Sequence, residues 1–76
     1  MKNYQTEKGE MMTEEQKAAV INARVACANI RAMGMLAENM LRDIMGNGVK
    51  YTEKDFEDII TEEGIHWNQI HNILFG

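Results

Sequence analysis

The stretch "AAVINARVACANIRAMGMLAENMLRDI", residues 18–44, decides the fold. Within it Ala19, Ala23, Ala26, Ile30, Met33, Ala37, Met40 and Ile44 recur at alternating steps of four and three. On an α-helix that spacing is an unbroken heptad seam. Val20, Cys27, Gly34 and Leu41 border it at intervals of seven, so one face is continuously apolar. The opposite side carries a second apolar line, Ile21, Ala28 and Met35, beside Ala18, Val25 and Ala32. Two narrow polar lines separate the faces: Lys17, Arg24, Arg31 and Glu38 on one side, Asn22, Asn29 and Asp43 on the other. A surface helix normally has one apolar stripe. Two stripes predict a helix packed from both sides.

Local signals bound this helix and place two more. Thr13 is an N-cap candidate, and Glu14 and Glu15 after it suit the positive end of the helix dipole. Gly46-Asn47-Gly48 stops the helix after Met45. Val49-Lys50-Tyr51 reads as a short extended connector, and Thr52 caps a second helix with Asp55 three residues on. Glu62-Glu63-Gly64 ends that helix, with Ile65 placed for the apolar contact that often follows a C-terminal Gly. A third helix runs from His66 to Phe75. Residues 1–11 are polar and without period, a flexible N-terminal segment ahead of a single helical domain over 12–76.

Lengths turn the two stripes into an expectation about assembly. The first helix, about 33 residues, is about 50 Å long, whereas the other two together supply about 30 Å of helix. They cannot cover both faces. "RAMGML", residues 31–36, has one Gly and no Pro, Asn or Ser, so a break there lacks a turn signal. The expected fold is therefore all-α: one long helix followed by a short helical pair, helix-turn-helix-like, assembled as a helical oligomer. The seam from Ala19 to Ile44 is the expected oligomer interface, and Ile21, Ala28 and Met35 are a candidate second one.

The totals agree. A chain of 76 residues forms one domain and buries only about 60% of its unfolded surface, so extra support is needed. One cysteine excludes an internal disulfide, and clustered metal ligands are absent from the sequence. Oligomerisation or a bound partner is what remains. Residues 1–45 hold six Lys/Arg and six Asp/Glu, whereas 46–76 hold two against six and carry the whole net charge of −4. The acidic second helix suits a basic surface on a protein partner. The apolar run Met33–Ala37 in the first helix is far short of the ~20 residues that span a bilayer. With neither membrane segment nor signal peptide, a cytoplasmic protein is expected.

The stretch "FEDIITEEGIHWNQIHNIL", residues 56–74, resembles a helix-turn-helix, with Gly64 in the turn and Ile59, Ile65, Ile70 and Ile73 where that motif is apolar. It departs from the motif at Ile60, where a small residue is usual, and at Glu63, where a core residue is usual. DNA binding requires phosphate neutralisation. The would-be recognition helix has no Lys or Arg, and six acids within residues 53–63 precede it. A DNA-binding regulator is thus an alternative disfavoured by charge.

Other chemistry is sparse. His66 and His71 are five apart, not the spacing that sets two imidazoles on one helical face; His66 reads as a cap and His71 as solvated. Cys27 reads as a small core residue. No phosphate loop, nucleophile set or paired-carboxylate motif is present, so no enzymatic activity and no cofactor are expected. Trp67 reads as the core anchor of the third helix, or as an interface hot spot. Arg24 and Arg31 form a basic line that reads as a solvated edge, or, repeated in an oligomer, as a pocket for a small anionic ligand with Tyr4 or Tyr51 stacking on a base.

The order Tyr4, "MTEEQKAAVINAR" (12–24) and "GMLAEN" (34–39) partly resembles the hairpin proteins with which phages sequester cyclic-nucleotide signals. The resemblance covers under half the chain and does not extend to the region of Trp67, so the family is not assigned. It implies helical oligomers and supports the cyclic-nucleotide-like ligand as an alternative. The expected function is a non-enzymatic oligomeric binding module, a small phage or bacterial accessory or inhibitor protein acting on a protein partner, with Arg24, Arg31, Tyr51 and Trp67 as candidate contacts.

Overall fold

A computed structural model describes residues 12–76; the segment 1–11, expected to be flexible, lies outside the described residues. Three helices follow one another: α1 (Glu14–Ile44), α2 (Glu53–Glu62) and α3 (Trp67–Phe75). No strand occurs among the described residues. α1 passes unbroken through Gly34, and its 31 residues span about 46 Å. Its first turn is closed reciprocally: the Gln16 N–H donates to Thr13 Oγ1 at 3.0 Å and the Thr13 N–H to Gln16 Oε1 at 2.9 Å. At its end Gly46 turns to φ +77°. The Asn47 N–H then donates back to the Arg42 carbonyl at 2.8 Å and the Gly46 N–H to Asp43 at 3.0 Å, closing a Schellman turn.

The chain reverses on Asn39. This side chain is 9% exposed and uses both ends of its amide on the connector. Oδ1 accepts from the Lys50 N–H at 3.0 Å and the Tyr51 N–H at 2.9 Å, and Nδ2 donates to the Tyr51 carbonyl at 2.8 Å. A segment with no regular partner thereby satisfies its backbone. Thr52 then opens α2, its N–H donating to Asp55 Oδ2 at 2.8 Å.

α2 and α3 form a bent arm that runs back along α1. The bend is a second Schellman turn: Gly64 has φ +78°, the Ile65 N–H donates to Ile60 at 2.9 Å and the Gly64 N–H to Thr61 at 3.1 Å. His66 caps α3 as expected, its Nδ1 accepting from the Asn68 N–H at 3.3 Å. Three cations at intervals of seven on α1 fasten the arm in reverse chain order. Arg31 pairs with Glu62 and Glu63 at the end of α2. Arg24 Nη1 donates to the Gly64 carbonyl at 3.1 Å, and Lys17 Nζ to the Leu74 carbonyl at 2.9 Å in the last turn of α3. The last contact also sets a cation at the negative end of the α3 dipole.

Under this arm lies a small core. Ala28, Met35 and Ile59 are buried, with Ala32, Tyr51, Phe56 and Ile65 half-buried against them. Ile70 and Ile73 are half-buried too, so all four apolar positions of the helix-turn-helix pattern are at least partly covered, while Ile60 is exposed.

Two substitutions test what holds the arm. Asn39→Ala leaves three backbone groups of the connector without a partner and should destabilise the protein by roughly 2 kcal/mol in urea unfolding followed by circular dichroism. Gly64→Ala should cost about 1–2 kcal/mol for the left-handed conformation alone. Its Cβ would also stand 2.7 Å from Arg24 Nη1, so the guanidinium must leave the turn carbonyl.

Candidate functional site

The heptad seam is left open by this arrangement. Ala19, Ala23, Ala26, Ile30, Met33, Ala37, Met40 and Ile44 are all exposed in the single chain. The large members lie far from coverage: Ile30 is 71% exposed, Met33 69%, Met40 58% and Ile44 81%. Leu36 and Leu41 add to the same side. The eight positions span about 39 Å of helix. Apolar residues scattered singly are normal on a monomer surface, whereas these form a contiguous strip.

The second line of α1 is placed otherwise. Ala28 and Met35, expected as a candidate second interface with Ile21, are core residues beneath the chain's own arm, and Ile21 is half-buried. The physical reason is the polar line at their edge: Lys17, Arg24 and Arg31 find their acceptors on α3, on the turn before it and at the end of α2, which pins the arm over this face.

Those contacts also account for the basic line. Arg24 is half-buried on the Gly64 carbonyl, and Arg31 lies between two carboxylates. The hydrogen bond that Arg31 donates to Glu62, with Glu63 beside it, raises the Arg31 pKa above its ordinary value. Both guanidinium groups are thus committed within the chain rather than presented to an anion. Tyr51, half-buried, has its backbone held by Asn39 and its ring 5.2 Å from Lys50 Nζ; Tyr4 lies outside the described residues.

A shallow groove of about 230 Å³ opens between α1 and α2, lined by Arg31, Met35, Tyr51, Asp55, Asp58 and Glu62. Each of its acids has a partner in the chain: Asp55 takes the Thr52 N–H, Asp58 pairs with Lys54 at 2.8 Å, and Glu62 with Arg31. Each acid of the groove is thus hydrogen-bonded or ion-paired within the chain.

The structure corrects two readings of the sequence. Trp67 is not a core anchor; it is 67% exposed. The inward side of α3 is supplied by Ile70, Ile73 and Leu74, and Trp67 falls on the flank shared with His71 and Phe75. There the three rings stack at steps of four, Trp67 to His71 edge-on at 5.2 Å and His71 to Phe75 at 4.9 Å. Cys27 is likewise exposed rather than buried, because it sits on the shoulder of the open seam. The aromatic stripe was missed in the sequence, although the i, i+4, i+8 spacing of Trp67, His71 and Phe75 is its signal.

Among the described residues no helix is long and apolar enough to cross a membrane. No protein-family model, no curated protein and no solved structure matches the chain.

Proposed function

We propose that this chain is a non-enzymatic helical binding module that works as a homodimer or larger assembly and holds or occludes a protein partner, in the manner of a small accessory or inhibitor protein. The observation that carries this reading is the imbalance between faces of α1. Among the described residues three apolar side chains are buried, while the heptad seam lies exposed. A second helix laid along the seam gives those side chains the cover that the short arm cannot reach.

The partner surface of this reading is the arm. The exposed Trp67 and Phe75 provide apolar anchors, of which Trp is the type most enriched in binding hot spots. Glu53 and Glu57 are exposed on the neighbouring α2 and suit a basic rim on the partner.

Light scattering on size-separated protein tests the assembly. The wild type should exceed the monomer mass of 8.7 kDa at micromolar concentration. Ala26→Glu puts a carboxylate in the seam and should remain helical while dissociating. Met35→Glu buries a carboxylate at a site only 8% exposed and should lose the tertiary fold, at a cost of several kcal/mol. A monomeric wild type would overturn the reading, as would Ala26→Glu with unchanged mass.

A further inference from the structure

The exposed seam is graded in size along its length. Its first three positions, Ala19, Ala23 and Ala26, are small, whereas Met40 and Ile44 at the other end are large. Ile30 and Met33 sit at the middle, and the seam is symmetric in position about the point between them. Helix axes pack about 8–10 Å apart according to the side chains between them. Two helices can stay equidistant only if the layers between them have similar thickness.

A parallel pair would match each residue with itself. Three successive Ala–Ala layers would draw the helices together at one end, and Met–Met and Ile–Ile layers would force them apart at the other. Reversal removes the gradient. Ala19 then meets Ile44 of the second copy, Ala23 meets Met40, Ala26 meets Ala37 and Ile30 meets Met33, each pair occurring twice. The shoulder line also faces itself, offset by two residues from the central pairs: Val20 comes beside Leu41 of the second copy, and the small Cys27 beside Gly34, where a Cβ would meet open space in the single chain. The arm is fastened to the opposite face by Lys17, Arg24 and Arg31, so it stays clear of the contact.

We infer that the occupant of the seam is a second copy of this chain lying antiparallel, centred between Ile30 and Met33. This orientation rests on the self-association proposed above. It makes the interface isologous, the same patch facing itself across a two-fold axis.

Disulfide trapping in the full-length chain reads the orientation directly. In a Cys27→Ala background, Ala26→Cys and Ala37→Cys are made singly and together. All three positions are exposed on one helix, and circular dichroism checks that helicity is kept. In the antiparallel dimer position 26 lies about 16 Å along the axis from its own counterpart, beyond the 4.4–6.8 Å between Cα atoms that a disulfide spans. Each single variant should therefore remain free of covalent dimer under mild oxidation. The double variant should be trapped, and peptide mapping should find position 26 joined to position 37. The same link within one chain is excluded by the same 16 Å.

Covalent dimers from either single variant would show a parallel pair and overturn the orientation while leaving self-association in place. A dimer by light scattering that none of the variants traps would show that another surface joins the chains, and would overturn this use of the seam. A monomer by light scattering would overturn the self-association itself.

Discussion

Everything in this fold depends on how the chain leaves α1, and one amide controls that exit. Asn39 offers an acceptor to two consecutive N–H groups and a donor to the carbonyl of the second, so the connector is hydrogen-bonded without a strand or helix to pair with. An extended segment packed against a helix would otherwise carry unmatched polar groups, each costing about 1–3 kcal/mol where it is shielded from water. Asn is suited to this place because its side chain carries both functions on one plane. It sits on the line that continues Ala18, Val25 and Ala32 by sevens, the single polar member of an apolar row.

Once the chain has turned, long-range polar contacts rather than a large core determine where the arm lies. Lys17, Arg24 and Arg31 reach carbonyls or carboxylates that are 57, 40 and 32 residues away. Surface ion pairs contribute little individually. Two of these contacts, however, engage carbonyls at chain turns or helix ends, which need a donor in any case. The polar line that divides the faces of α1 is thus also the seam along which the arm is attached.

This attachment leaves a molecule with one satisfied face and one unsatisfied face. The covered side has a compact apolar centre in Ala28, Met35 and Ile59. The open side presents Ile30, Met33, Met40 and Ile44 to water. In the function proposed above, the long helix sets the geometry of assembly and the arm on its other side meets a different molecule through Trp67, Phe75 and the acids of α2.

The local features of this protein were legible in the sequence because they are short-range. The 4-3 spacing determined the helix and its seam, and Thr13, Thr52, His66, Gly46 and Gly64 marked helix ends through contacts no more than five residues long. The capping partner Gln16 and the role of Asn39 were less visible. The first depends on a side chain with many alternatives, and the second on a connector eleven residues further on. Only the tertiary structure decided which apolar face the arm covers. Both faces are apolar enough to accept it, so periodicity cannot choose between them; the choice belongs to Arg24, Arg31 and Lys17, whose acceptors are distant in sequence. The same choice turned Ala28 and Met35 into core and left Cys27 and Trp67 in solvent.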